Sequence, residues 1–197
     1  MNEPVSSTAD GTTLAGPEMG PAMVRVWDPV VRIFHWTVVL GCVLDLFVLE
    51  EGGTAHNVVG YVVAGALAIR LVWGFVGSKH ARFSDFAPSP GRLKRYLRAL
   101  AAGREERYIG HNPAGAVMII VLMALLAAVS VTGWMLTLDA FWGNEVLEEM
   151  HGAISNAILA CALIHAAAAL FESFRHKENL VKAMITGYKR AYRISTP

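Results

Sequence analysis

Four apolar runs, at roughly residues 30–49, 57–76, 114–138 and 150–171, dominate the chain and limit what it can become. Each approaches or exceeds the roughly 20 residues a helix needs to cross a bilayer. Inside lipid no water satisfies backbone N–H and C=O groups, so only helices or closed barrels can span it. Four blocks cannot close a barrel, and the two-residue alternation of a barrel strand is absent. The expectation is an all-α membrane protein, a four-transmembrane-helix bundle. Composition agrees, since 17% of residues are charged where a soluble domain carries about 25%.

Charge sets the orientation. Of 17 Lys and Arg residues, eight lie between Gly77 and Pro113 and six follow the fourth run. Arg25 and Arg32 stand before or at the start of the first. The connections "EEGGTA" and "LDAFWGNEVLEE" contain neither Lys nor Arg, so by the positive-inside rule they face away from the cytoplasm. Both termini are expected to be cytoplasmic.

Between the second and third runs, "SPGRLKRYLRALAAG" spaces Leu93, Tyr96, Leu97 and Leu100 at helical intervals, with Arg92, Lys94, Arg95 and Arg98 opposite. The pattern predicts an interfacial amphipathic helix whose basic face meets anionic membrane lipid. A weaker stripe of Leu180, Val181, Met184, Ile185 and Tyr188 suggests a second interfacial anchor. Residues 1–22, rich in Gly, Pro, Ser and Thr and without an apolar core segment, read as a disordered N-terminal tail rather than a secretory signal. The domain plan is that tail, a transmembrane domain over 23–190, and a short C-terminal tail over 191–197.

Several classes are excluded. Cys42 and Cys161 both fall inside spans and form neither a disulfide framework nor a metal pair, and no C-x-x-C-H motif for covalent haem is present. No flavin fingerprint, iron–sulfur cysteine set or soluble catalytic module appears, and nothing calls for nucleic acid as a partner.

The fourth run carries His151 and His165. Fourteen residues advance about 1400° and about 21 Å, roughly 40° short of four turns, so the two imidazoles share one face at two depths. His35, in the first turns of the first span, matches the depth of His165; His56, opening the second span, matches His151. One histidine at a span end is commonly an interfacial group. Four matched by depth suggest ligation through ring nitrogens. Two histidines per level, without a carboxylate or thiolate set, suit a bis-His haem better than tetrahedral zinc. Small residues such as Gly41, Gly60, Gly65, Gly152, Ala153 and Ala166 to Ala169 either make room for macrocycles or let helices approach.

Arg70 stands fourteen residues after His56, on the same face near the cytoplasmic end. It is expected to pair with a haem propionate, as is Arg32, a turn before His35; the alternative for both is snorkelling to headgroups. Asp45, near the outer end of the first span, is either a proton-handling residue or an interfacial carboxylate. His111, before Pro113, stands at a helix entry, where a capping role is open to it. His80 and His176 read as solvated.

The segments "VWDPVVRIFHW", "HNVVGYVVAGALAIRLVWGFVGSKHARF", "GHNPAGAVMIIVLMALLAAVSVTGWM" and "MHGAISNAILACALIHAAAALFES" resemble the four helix signatures of the bacterial cytochrome b561 and nickel-hydrogenase cytochrome b family, from Val24 to Tyr188. The resemblance implies a multi-pass protein of the bacterial inner membrane with two non-covalent b-type haems. It further implies electron exchange between a redox partner and the quinone pool, ubiquinone or menaquinone. Its ligand positions on the first, second and fourth helices correspond to His35, His56, His151 and His165, and it leaves His111, in the "GHNP" motif, a capping or quinone-proximal role rather than iron ligation.

Three functions stay open at this point. One is a quinone-linked electron-transfer oxidoreductase acting on a redox partner or a small donor. Another is an anchor subunit that relays electrons for a periplasmic or membrane redox protein, its acidic outer loops steering a basic partner. The third is a metal transporter or sensor using the same histidines for labile ions. Homo-oligomer formation is compatible with all three.

Overall fold

Helix starts are written locally. Asp28, Ser89, Asn112, Asn144 and Asn179 each place a side-chain oxygen on the backbone N–H three residues on, supplying one of the donors a first turn leaves orphaned. Pro29, Pro90 and Pro113 follow three of these caps at the first helical position, where a missing N–H costs nothing. The computed structural model describes residues 22–87, 89–105 and 107–191. Apart from Ala22 and Ala191, the two expected tails lie outside the described residues.

The elements in chain order are β1 (Met23–Arg25), α1 (Pro29–Phe47), α2 (Thr54–Val76), α3 (Phe83–Phe86), α4 (Pro90–Ala101), α5 (Pro113–Leu136), a single 3-10 turn (Asp139–Phe141), α6 (Glu145–Arg175), α7 (Leu180–Thr186) and β2 (Tyr188–Arg190). Helices α1, α2, α5 and α6 are the four long and apolar enough to cross a membrane, and the molecule is the expected helical membrane bundle. The fourth span exceeds its expected bounds because Asn144 caps it early. At 31 residues it runs about 46 Å, so its ends protrude beyond a hydrocarbon core of about 30 Å.

Within the bundle α1 packs on α2, α2 on α5, and α5 on α6. Val63, Leu67, Met123, Leu126 and Ile158 form the seam. Gly41 serves that packing and leaves no room for a cofactor: a Cβ there would stand 2.4 Å from Val63 Cγ2. Gly65 is exposed, with nothing within 4 Å of a would-be Cβ.

One end of the bundle gathers the first and last described strands. Strands β1 and β2 pair antiparallel, Met23 opposite Arg190 and Arg25 opposite Tyr188. Val26 and Trp27 donate to the Gly187 carbonyl, and Gly187 makes the turn into β2 with a φ of 89°, a conformation that favours glycine. Tyr188 therefore leaves the expected C-terminal helical stripe and enters a strand. Trp27, Val31, Ala81 and Ala183 pack beneath this clasp. We call this the terminal end and the opposite one the far end.

Helix α4 lies at the terminal end, but its apolar stripe divides. Tyr96 is buried, Leu93 and Leu100 are half-buried, and Leu97 is exposed. The Tyr96 hydroxyl donates to Glu172 Oε1 at 2.8 Å. The same oxygen accepts from Asn112 Nδ2 at 3.2 Å, tying α4 and the α5 entry to α6. Burial, then this contact with Glu172, pushes the Tyr96 hydroxyl pKa up.

Candidate haem-binding site

Helices α1 and α2 form no extended seam with α6, and two histidine pairs span the interval. At the far end His56 of α2 faces His151 of α6, ring centroids 6.2 Å apart and planes 72° apart. Two imidazoles on opposite sides of one metal stand about 6 Å apart between ring centres, from about 2 Å per metal–nitrogen bond and about 1 Å from nitrogen to ring centre. The separation fits.

The second nitrogen of each far-end ring has a protein oxygen beside it. His151 Nδ1 lies 3.0 Å from Thr132 Oγ1, and that hydroxyl has the Ala128 carbonyl at 3.0 Å as an outlet for its own proton. Thr132 can thus accept the His151 Nδ1–H. His56 Nδ1 stands 3.5 Å from Asp45 Oδ1. Nε2 of each ring is left for a metal, the usual outer-partner arrangement of metal-bound histidine. Gly133 lets the His151 ring approach, because a Cβ there would lie 3.0 Å from His151 Cε1. Gly60, one turn after His56, and Gly152 are half-buried, and a Cβ on either would meet nothing within 4 Å.

At the terminal end His35 of α1 and His165 of α6 lie close enough to interact electrostatically. His35 Nδ1 is buried without a hydrogen-bond partner. Among the described residues no three His, Cys, Asp or Glu side chains converge as a metal-ion cage. Two imidazoles per level would suit the iron of a b-type haem and are too few to complete a tetrahedral zinc site. The donor set and the far-end spacing fit b-type haem.

Two cations stand at the terminal end. Arg70 is 3% exposed, so it does not snorkel. Its Nη2 donates to the Ala81 carbonyl at 3.0 Å, its guanidinium lies 5.2 Å from the Phe83 ring centre, and Nη1 is buried and unpartnered. Arg32 donates through Nη2 to the Ile185 carbonyl and leaves a buried, unpartnered Nε. Each keeps a donor free for an anion.

Other titratable groups depart from expectation. Asn112, not His111, caps α5. His111 sits between Trp27, at 4.6 Å, and Phe86, at 4.8 Å. Burial first, then the charges of Lys189 and Arg70, push its pKa down to about 3, so the ring is neutral near pH 7. His80 and His176 are half-buried and paired, His80 Nδ1 with Asp85 at 3.3 Å and His176 Nε2 with Glu172 at 2.9 Å. Sequence reasoning missed Thr132, whose hydroxyl looks like any mid-span threonine bonding back to its own helix. It also left Asp45 unassigned, although the short link between α1 and α2 puts the two helix ends side by side.

The chain is 28% identical to the Probable Ni/Fe-hydrogenase B-type cytochrome subunit of Rhodobacter capsulatus, over 84% of this chain and 81% of that protein. It is 24% identical to the subunit of that name from Bradyrhizobium diazoefficiens, over 87% and 88%. The Cupriavidus necator subunit is 22% identical over 93% of each chain. No solved structure matches. The sequence profile described as Prokaryotic cytochrome b561 matches residues 26–187, nearly the whole described bundle, and the chain therefore belongs to the prokaryotic cytochrome b561 family.

Proposed function

We propose that this protein is a di-haem b-type cytochrome of a bacterial inner membrane, carrying electrons across the bilayer between a redox partner and the quinone pool. His56 and His151 hold one haem and His35 and His165 the other, with Arg70 and Arg32 receiving propionates at the terminal level. The observation that carries the reading is the 6.2 Å spacing of the His56 and His151 ring centres, with each Nδ1 turned toward a protein oxygen. Haem supplies reversible one-electron iron chemistry when bound. The chain orients the imidazoles, keeps water from the interval between α6 and the α1–α2 pair, and sets the local charge. The terminal end is the cytoplasmic one, since the loops of the far end carry no Lys or Arg.

Purified protein tests this directly. Two haems per chain by pyridine haemochrome are expected, with a strong Soret band and a reducible α band; a colourless, folded sample would end the proposal. It would also favour labile-ion binding.

A second reading, an electron-relay subunit of a larger complex, is favoured by the relatives' names, Ni/Fe-hydrogenase B-type cytochrome subunits. The far-end segment with Asp139, Glu145, Glu148 and Glu149 would attract a basic partner surface. Dithionite-reduced chain that added quinone oxidises unaided supports the oxidoreductase. Oxidation only when a partner protein is present supports the relay.

A further inference from the structure

The two histidine levels differ in their electrical surroundings. Far-end His56 has a carboxylate beside it: Asp45 Oδ1 stands 3.5 Å from His56 Nδ1, and each of these buried atoms lacks any hydrogen-bond partner. A buried donor or acceptor left unpaired costs about 1–3 kcal/mol, so each atom is the other's nearest means of satisfaction. His151 answers to a neutral group, the Thr132 hydroxyl, and feels the negative charge of Glu51. The terminal level lacks such company. No carboxylate bears on His35 or His165 among the described residues, and Arg32, one turn before His35 in α1, and Arg70 stand at the same end of the bundle, each with an unfilled donor.

We infer that Asp45 is a positioning residue for the far-end haem, orienting His56 through Nδ1 and holding that site at a lower reduction potential than the terminal one; this rests on the di-haem reading above. A carboxylate that accepts the Nδ1–H of a ligating imidazole fixes its tautomer and makes Nε2 a stronger donor. Added donation and nearby negative charge both favour the more positive, oxidised iron. Cations at the other level favour the reduced iron there. The chain thus builds a gradient in which an electron arriving at the far end is drawn toward the terminal end, with Asp45 its principal buried element.

The test is an optical redox titration of purified wild-type, D45N and D45E proteins, each with its haem content measured. Loss of one wave in H151A identifies the far-end component. In D45N both haems are expected to remain while the far-end wave moves upward by about tenfold in the reduction equilibrium, ~59 mV for one electron. The terminal wave should stay in place, and D45E should retain the low potential. If D45N sheds the far-end haem and D45E keeps it, the carboxylate is holding the imidazole and the assignment stands. Unmoved waves in D45N, equal movement of both waves, or loss of the far-end haem in both variants overturns it. A wild-type chain with one haem or none overturns the underlying di-haem reading instead.

Discussion

His56 and His151 stand on helices that share no extended seam, yet their ring centroids are 6.2 Å apart. The pair bridges an interval rather than closing it, and what it bridges should be countable.

Replacing His56 or His151 by Ala should remove one haem and leave the other, and replacing His35 or His165 should do the reverse. Pyridine haemochrome quantitation on the four variants checks the pairing. The result that sinks it is loss of a single haem grouped in any other way, for instance from His35 and His56 together.

Gly74 lies under the Phe83 ring, and a Cβ there would come within 2.0 Å of Phe83 Cε2. G74A should cost about 1–3 kcal/mol by overpacking, because Phe83 is held by Phe75 and Phe86 and lies under Arg70. G65A is the control: its Cβ meets nothing, and alanine is the better helix former by about 1 kcal/mol. Thermal unfolding in detergent should lower the midpoint for G74A and hold or raise it for G65A.

Removing the Tyr96 hydroxyl should loosen α4. A hydrogen bond to a charged acceptor contributes about 1.5–3 kcal/mol, so Y96F should expose the Arg92, Lys94, Arg95 and Arg98 backbone about tenfold more often or better. Initial rates of tryptic cleavage within α4 measure this, and equal rates in both proteins would leave the Tyr96–Glu172 contact without a docking role.

His111 gives the fold an acid sensitivity. Its folded pKa is pushed down to about 3, while an unfolded histidine titrates near 6.5. As pH falls through about 6.5 the unfolded chain gains a proton that the folded one refuses until about 3, so stability declines across that window, by at most about 1.4 kcal/mol per pH unit. H111Q should flatten the fall in unfolding midpoint between pH 6.5 and 5, above the main range of carboxylate titration. An unchanged slope would assign the sensitivity to other groups.

The spans were legible because hydropathy over some 20 residues is a local property; the caps were not read, and the role offered to His111 at the entry of α5 falls to its neighbour Asn112. The depth matching of the histidines followed from helical arithmetic alone. The terminal clasp was not legible: three-residue strands from the two ends of the bundle carry no pattern of their own, and their pairing depends on closure over more than 160 positions. Tyr96 turned inward because its hydroxyl has a carboxylate to reach, which a count of apolar side chains does not register. Gly41 and Gly60 looked alike as letters. Only the neighbouring helix distinguishes a glycine pressed against Val63 from one that borders open space.

The β1–β2 clasp bears on biogenesis. Its second strand follows all four spans, so during synthesis every membrane helix can be threaded into lipid before the strands pair. The contact of Lys189 with the Trp27 ring is therefore a late one, formed only once translation has passed Arg190.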